Sequence, residues 1–291
     1  MKAPPLAYVR ATSLDAAFRL WDAPGNQATL LAGGQTLLAT LAFRLAELGT
    51  LIDISRLPEL HGIYATADGI RVGAMTTHSE LGVNALVRRH VPLLTNAVPL
   101  IAHAAIRNRG TIGGSLAHAD PAAELPACSV ALDAVIIARS ARGERRIPAA
   151  RFFTGLYATA LAERELIAAI EFPIAKRGER SVILELTRRA GDYAMAGIAA
   201  KALVAGGVLR APRLVFFAVG DGPIAAHHAM AAIADKPVTP ATVAAAQSAL
   251  DLDLDPAADQ HGGPEMKRQL ARVLLARALE QISGNDAGRD A

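Results

Sequence analysis

Apolar residues along the chain recur in two spacings, one typical of helices and one typical of strands. Ser13 precedes a helical apolar spacing over 14–21, where a serine can cap the first turn. Short apolar runs at 29–32 and 51–54 predict buried strands, and the segment 36–48 between them has a helical pattern. The start of the chain therefore predicts a small α/β unit of β-α-β order behind a leading helix.

The middle of the chain combines hairpin signals with helical signals. Residues 62–76 alternate around Gly69 and predict a hairpin. The apolar spacing predicts further helices and strands, namely helices over 78–89, 92–105 and 122–132 and strands over 134–139, around Ile147 and over 166–172. Pro173 ends the last of these strands.

The polar segment 174–180 predicts a boundary, beyond which strands precede helices. The pattern predicts strands over 181–186, 196–205 and 208–219, with Gly206-Gly207 as a turn, and then helices over 223–233, 241–250 and 264–282. That order predicts a layered α+β domain. We therefore predict a first domain over 1–177, with subdomains at about 1–57 and 58–177, a C-terminal domain over 178–285, and a tail over 286–291.

Composition narrows the class of protein. Hydrophobic residues make up 52% of the 291 residues and charged residues 20%, which predicts a packed globular protein. No apolar run approaches the ~18 residues that a spanning helix needs, and the start of the chain has no apolar signal segment, so we expect a cytoplasmic protein with no membrane span. Aromatic residues make up 4% and the net charge of +3 is scattered, so no nucleic-acid partner is expected.

The single cysteine, Cys128, limits the redox chemistry of the chain. One cysteine excludes an internal disulfide, and this chain alone cannot ligate an iron–sulfur cluster or a multi-cysteine zinc ion. The histidines lack paired ligand spacing, so we predict no metal site. If the function needs an iron–sulfur centre, a partner must supply it.

A glycine-rich segment between a predicted strand and a predicted helix is the first candidate site. It reads Leu31-Ala32-Gly33-Gly34-Gln35-Thr36-Leu37. Adjacent glycines let backbone approach a ligand, and the helix that follows presents N–H groups to an anion. The geometry suits a pyrophosphate. A plain tight turn is the alternative, because the segment matches neither the dinucleotide fingerprint nor the Walker A motif.

A second glycine-rich turn is predicted before the helix at 122–132. It reads Asn108-Arg109-Gly110-Thr111-Ile112-Gly113-Gly114-Ser115, with Asp120 and Glu124 after it. Two such loops suit a dinucleotide whose pyrophosphate is gripped from both sides. Glu124 is a candidate acceptor for ribose hydroxyl groups, and His118 is a candidate neighbour of the ligand. The alternative is that Asp120 and Glu124 only complement the dipole of the next helix.

These two segments, extended to 32–38 and 111–126, strongly resemble the FAD-binding medium subunit of molybdenum hydroxylases, the carbon-monoxide-dehydrogenase and xanthine-dehydrogenase family. Gly191-Asp192-Tyr193 and the strand-rich C-terminal part extend the resemblance over nearly the whole chain. The fold class that it implies is α+β. The expected fold is a vanillyl-alcohol-oxidase-like (PCMH-type) FAD-binding fold of two α/β subdomains, followed by a C-terminal α+β domain of the CO-dehydrogenase flavoprotein type.

The resemblance also implies the site residues. Residues 31–37 and the second motif would hold the FAD pyrophosphate, the latter through Thr111, Gly113, Gly114 and Ser115. The resemblance implies one role each for four further positions. Ile101 would pack on the adenine, and Glu124 would take the place of the family's ribose-binding acid, which is usually Asp. Leu166 or Ile167 would lie beside the flavin, and Tyr193 would cover one flavin face.

The sequence departs from the family pattern at three positions. Gln35 stands where some members carry His, and Thr36 stands where many carry Ser, so both keep polar groups available. Glu185 stands about where several members carry a lysine close to the flavin. On that alignment a cation is lost, or Arg188 or Arg189 supplies it, which bears on the flavin's potential and on its electron acceptor.

The function that the resemblance implies is that of an oxidoreductase subunit. It is the FAD-binding electron-transfer subunit of a heterotrimeric molybdenum hydroxylase, with the molybdenum–pterin cofactor on a large subunit and iron–sulfur clusters on a small one. A dimer of heterotrimers is expected, with no residue of this chain catalytic toward the organic substrate. The alternatives are a free-standing FAD-dependent oxidoreductase and a non-catalytic scaffold. The absence of a long substrate domain argues against the first, and the intact glycine motifs argue against the second.

Overall fold

The computed structural model describes residues 4–23 and 27–284, so the predicted tail lies outside the described residues. The first unit contains three strands and two helices: β1 (Ala7–Arg10), α1 (Leu14–Trp21), β2 (Ala28–Leu31), α2 (Leu37–Ala42) and β3 (Thr50–Asp53). Strand β3 is central and pairs in parallel with β1 and β2. The predicted β-α-β unit is confirmed, and so is the Ser13 cap, whose Oγ accepts from the Ala16 N–H at 3.1 Å.

Two details of this unit differ from the prediction. Strand β1 was not predicted, because it lies at a sheet edge with mostly exposed side chains and shows no buried run. Helix α2 ends at Ala42 rather than near residue 48. Arg44 has a φ of 57°, and a left-handed residue at that point ends the helix.

The second unit contains an antiparallel five-stranded sheet in the order β4-β5-β10-β6-β7 and a set of short helices. Its elements are β4 (Ile63–Ala65), β5 (Gly69–Gly73), α3 (His78–Val83), α4 (Ala85–His90), α5 (Pro92–Ala97), α6 (Ala104–Arg107), α7 (Ile112–His118), α8 (Glu124–Ala131), β6 (Val135–Ser140), β7 (Gly143–Pro148), β8 (Phe153–Gly155), β9 (Ala158–Thr159) and β10 (Leu166–Pro173). The predicted hairpin is confirmed as β4–β5.

The predicted long helices of this unit are divided by local caps. Asn84 is extended, ends α3, and accepts the Leu86 and Val87 N–H groups at the start of α4. Pro92 then begins α5. These caps explain why the helical apolar spacing continues across breaks in the helix.

The third unit is an antiparallel sheet covered by helices. Its elements are β11 (Glu179–Thr187), β12 (Ala194–Ala205), β13 (Val208–Phe217), β14 (Ile224–Ala225), α9 (His227–Ile233), β15 (Lys236–Pro237), α10 (Pro240–Asp253) and α11 (Pro264–Gly284). The sheet order is β11-β12-β13-β14, and β15 also pairs with β13. The turn at Gly206-Gly207 is confirmed. The helix predicted from residue 223 begins at His227, because 224–225 pair with β13.

The two faces of this third sheet belong to different cores. Leu184 and Phe216 face the helices α9–α11. Ile183 and Phe217 face the other way and join the core of the second unit, where α8 packs against β12 and β13. The inner face of the C-terminal sheet therefore meets α8, the helix that follows the segment with the second glycine motif. The predicted domain limits themselves stay predictions.

Among the helices of residues 4–23 and 27–284, none combines the length and apolarity that crossing a bilayer requires.

Candidate cofactor site

The two glycine-rich motifs lie against each other. A Cβ atom placed on Gly33 would be 2.1 Å from the carbonyl oxygen of Arg109, and one on Gly114 would be 3.8 Å from the Cβ of Ala32. Residue 33 is therefore a glycine because the backbone of the second motif occupies the space of a side chain. The fold brings together the two segments that the sequence predicted to share a ligand.

The first motif, residues 31–37, presents free backbone donors. It follows β2 and precedes α2, and Gly34 has a φ of 73°, which favours glycine. The Gln35 side chain donates to the Gly33 carbonyl at 2.8 Å. Within the described chain, the N–H groups of residues 33–36 donate to no acceptor. A run of unused backbone donors at the end of a strand suits an anionic group.

The second motif differs from the predicted turn. Thr111 caps α7 by accepting the Gly114 N–H at 3.1 Å, so Gly113 and Gly114 lie in the first helical turn. The Ile112 N–H donates to the Thr76 carbonyl at 3.0 Å, and the Gly113 N–H donates to the Ala74 carbonyl at 2.8 Å. These backbone donors are used inside the protein.

The second motif combines close backbone packing at Gly113 with the hydroxyl group of Ser115, which a ligand can contact. A Cβ atom on Gly113 would be 2.5 Å from the Cβ of Ala74, so glycine lets α7 start directly against the end of β5. The Ser115 side chain is only partly buried on the next position of α7. The two motifs therefore contribute different groups, which the sequence alone did not distinguish.

Glu124 is a partly buried acid at the first position of α8. Burial raises its pKa to about 8, and the nearby negative charges of Glu185 and Asp120 add to the rise. Asp120 itself accepts the Ala122 N–H at 2.9 Å and forms a local turn. Glu124 therefore interacts electrostatically with Glu185, an acid of the C-terminal sheet. A role limited to complementing the dipole of α8 would not require that interaction.

Glu185 lies near the end of β11, and its Oε2 atom is buried with no hydrogen-bond partner among the described residues. Burial raises the pKa of Glu185 to about 7. Of the two arginines considered as a substitute cation, Arg188 is exposed and donates to the Gln260 carbonyl at 3.1 Å. Arg189 is exposed as well. The acid at 185 is therefore left without an ion-pair partner in the described chain.

Tyr193 lies close to the acids Asp120 and Glu124. The loop before it packs on the second unit, where a Cβ on Gly191 would be 2.8 Å from the Ala102 carbonyl oxygen. Burial raises the pKa of Tyr193, and the charges of Asp120 and Glu124 contribute. The side chain is nevertheless 59% exposed, so one of its faces is open to a ligand or a partner.

The predicted apolar contacts are core residues. Ile101 and Ile167 are buried in the same core, and Leu166 is buried in the core of the first unit. Ile101 adjoins Ala102, against which Gly191 packs, so it lies near the Tyr193 loop. Their contacts with a cofactor stay predictions.

Two neighbouring residues were not among the predicted site residues, Tyr157 and His78. Tyr157 lies in the β8–β9 turn with a φ of 52°, and its ring centroid is 5.0 Å from that of His118. The His78 ring backs the second motif, since a Cβ on Gly110 would be 2.8 Å from its Nε2. Burial lowers the pKa of His78 to about 4, and the Arg107 charge contributes. The sequence signal that could have indicated Tyr157 is an aromatic residue in a tight turn. No sequence signal indicates that His78 lies near the site.

These residues fit FAD. The first motif supplies unused donors for a pyrophosphate, glycines let the two motifs pack directly against each other, and Glu124 offers a carboxyl group for ribose hydroxyls. Tyr193 adds an open aromatic face.

Comparison with known proteins identifies the class. Residues 4–175 match the family described as the FAD binding domain in molybdopterin dehydrogenase. Residues 183–282 match the CO dehydrogenase flavoprotein C-terminal domain. The chain therefore belongs to the FAD-binding medium subunits of molybdenum hydroxylases, which are oxidoreductase subunits, and the expected fold class and FAD cofactor are confirmed.

Individual relatives agree over the full length. The chain is 37% identical to the 6-hydroxypseudooxynicotine dehydrogenase complex subunit alpha of Paenarthrobacter nicotinovorans, covering 96% of this chain and 95% of the relative. It is 35% identical to the carbon monoxide dehydrogenase medium chain of Hydrogenophaga pseudoflava, covering 95% and 96%. A solved carbon monoxide dehydrogenase from that organism superposes with a TM-score of 0.94 at 36% identity, covering 98% of this chain and 99% of the other. Quinoline 2-oxidoreductase from Pseudomonas putida 86 gives 0.93 at 34% identity, with the same coverage.

Proposed function

We propose that this chain is the electron-transfer subunit of a heterotrimeric molybdenum hydroxylase, passing electrons from iron–sulfur clusters of a partner subunit via FAD to an external acceptor. The observation that carries the proposal is the contact between the two glycine motifs, which brings unused backbone donors next to a helix whose first turn contains two glycines. An acid, Glu124, and the exposed Tyr193 interact electrostatically with each other.

FAD, when bound, supplies the redox chemistry, and this chain supplies binding and orientation. The N–H groups of residues 33–36 and the Ser115 hydroxyl hold the pyrophosphate. Glu124 accepts hydrogen bonds from the ribose hydroxyls, and Ile101 packs on the adenine. Ile167 and Tyr193 border the flavin, with Tyr193 covering one face. No side chain of this chain acts on the organic substrate.

The remaining cofactors belong to partners in this proposal. Cys128 is buried, and burial raises the pKa of its thiol, with the Glu124 charge contributing, so it is a poor ligand. The small subunit carries the iron–sulfur clusters and the large subunit carries the molybdenum–pterin cofactor, in a dimer of heterotrimers. Tyr157 and Tyr193, 54% and 59% exposed, mark the side that a partner covers. The cytoplasmic location stays a prediction, which fractionation of the native cells checks.

Co-purification from the native host tests the proposal. We expect three subunits, about one FAD per copy of this chain, and molybdenum and iron in the complex, measured by mass spectrometry, absorbance and metal analysis. Reduction by substrate followed by reoxidation with candidate acceptors then follows the electron flow. A chain that oxidises an organic substrate alone, without molybdenum or iron, would support the free-standing enzyme. A colourless chain that takes up no FAD would support the scaffold.

A further inference from the structure

The side chain of Arg107, the last residue of α6, holds two consecutive backbone carbonyl groups. Its Nη1 atom donates to the Ile101 carbonyl at 2.9 Å and to the Ala102 carbonyl at 2.9 Å. Carbonyl groups of neighbouring residues point in opposite directions along an extended chain, so one nitrogen can reach both only where the chain turns. Ala102 makes that turn with a φ of 38°, in the left-handed region that is unfavourable for alanine. The Arg107 guanidinium therefore stabilises a strained turn.

The Ala102 carbonyl is also the group against which the loop before Tyr193 packs. A Cβ atom on Gly191 would be 2.8 Å from the Ala102 oxygen and 3.2 Å from its carbonyl carbon, and Gly191 has a φ of 80°. A side chain at position 191 would collide with the carbonyl that Arg107 holds, so this contact requires glycine. The C-terminal unit therefore meets the second unit at an oxygen atom whose position Arg107 fixes.

Hydrogen bonds within the loop connect this contact to Tyr193. The Asp192 N–H donates to the Arg189 carbonyl at 3.1 Å, and the Asp192 Oδ1 accepts the Tyr193 N–H at 3.0 Å. The Tyr193 side chain is largely exposed, so its own packing constrains it little. The position of Tyr193 therefore depends on where Gly191 lies against Ala102.

We propose that Arg107 is a positioning residue of the FAD site, which holds the Ala102 carbonyl against Gly191 and so fixes Tyr193 in place as the flavin cover. This inference rests on the proposed function, because it takes Tyr193 as the residue that covers one flavin face. Arginine suits this role, since the two N–H bonds of one guanidinium nitrogen diverge at a fixed angle and serve two carbonyl groups at once. Lysine carries the same charge without that planar geometry.

The first test measures hydrogen exchange of the loop in the full chain after release of its FAD, so the result does not depend on activity. Mass spectrometry follows the peptide that covers 188–194. Arg107→Met keeps a long apolar side chain and removes both hydrogen bonds, so we expect the Asp192 and Tyr193 amides to exchange about tenfold faster. Arg88→Met, at an exposed arginine of α4, is the matched control and should exchange like wild type.

The second test asks whether Arg107 acts through Tyr193. The FAD-loaded complex is reduced with dithionite and mixed with dioxygen, which takes two electrons and two protons from the reduced flavin and becomes hydrogen peroxide. Arg107→Met should change the reoxidation rate about threefold or more, in the same direction as Tyr193→Ala. In the double variant Arg107→Met should add less than about a twofold change, whereas independent sites would multiply their full effects.

The outcomes separate this inference from the proposed function. Circular dichroism checks folding, and Arg107→Lys, which keeps the charge and a donor, replaces Arg107→Met if that variant does not fold; its loop exchange should rise by a smaller factor. Wild-type loop exchange in the folded Arg107 variant, or full additivity with Tyr193→Ala, overturns the inference and leaves the proposed function standing. An unchanged reoxidation rate in Tyr193→Ala overturns the cover role and this inference with it. A wild-type chain that binds no FAD overturns the proposed function as well.

Discussion

Replacing Gly33 with alanine tests the contact that joins the two glycine motifs. The new Cβ would lie 2.1 Å from the Arg109 carbonyl oxygen and 3.0 Å from the Cα of Gly110. Normal carbon–oxygen contact requires the two backbones to separate by at least about 1 Å. Because both partners are backbone, no side chain can rotate away, and the strain costs about 1–3 kcal/mol.

The expected result is weaker FAD binding together with a modest loss of stability. If the strain falls on the bound conformation, Kd rises by about 5- to 150-fold, since 1.4 kcal/mol is a factor of ten. The melting temperature of the free chain falls by about 2–10 °C if the strain falls on the fold. Fluorescence titration with FAD and a thermal melt measure the two effects separately.

Gly49→Ala is the matched control in the same unit. Its Cβ would meet the neighbouring Gln27 at 3.6 Å, an ordinary contact, so FAD affinity should stay within twofold of wild type. A Gly33→Ala chain with wild-type Kd and melting temperature would refute the claim that close backbone packing of the two motifs builds the site.

Three further substitutions test the site and the stability of the first unit. Tyr193→Ala should retain FAD while changing the rate of flavin reoxidation by the acceptor, measured by stopped flow; an unchanged rate would contradict its role as a cover. Thr111→Val removes the cap of α7 and should destabilise the chain by about 1 kcal/mol in denaturant unfolding and weaken FAD binding, whereas unchanged unfolding would show that the cap is dispensable. Burial alone would raise the pKa of Asp53, but hydrogen bonds from Tyr8, Ser55 and Arg10 lower it to about 2. The ionised Asp53 therefore contributes about 2 kcal/mol to the free energy of unfolding above pH 4, and this contribution is lost as the pH falls toward 2. Asp53→Asn should flatten that part of the stability–pH curve, and an unchanged acid limb would contradict the assignment.

The sequence predicted features that depend on neighbouring residues. The Ser13 cap and the Gly206-Gly207 turn need only local hydrogen bonds and backbone freedom, and both occur as predicted. The first glycine motif was placed between its strand and helix for the same reason. Local patterns also predicted the three long strands β11 to β13 of the C-terminal sheet, since each is long enough to show its buried face, whereas the two-residue strands β14 and β15 were not predicted.

Features that depend on distant contacts were missed or misassigned. The second glycine motif looked like a turn, but Gly113 is helical because α7 starts against Ala74, nearly forty residues earlier. Strand β1 is mostly exposed and exists because β3 offers it an edge. The contact of the Phe217 ring with Gly197 joins residues on separate strands, and no spacing in the sequence encodes that contact.

A chain of hydrogen bonds that starts beside Asp120 joins the C-terminal unit to the second unit. The Ala218 N–H donates to the Pro121 carbonyl at 2.7 Å, one residue after Asp120. The Ala218 carbonyl accepts from the buried Lys267 side chain at 3.0 Å, and Lys267 also bonds Asp259 at 2.6 Å. These bonds tie the end of β13 to both the cofactor domain and α11. Because Glu124 on α8 interacts electrostatically with Glu185 on β11, the electrostatic environment of Glu124 depends on how the C-terminal sheet packs against α8.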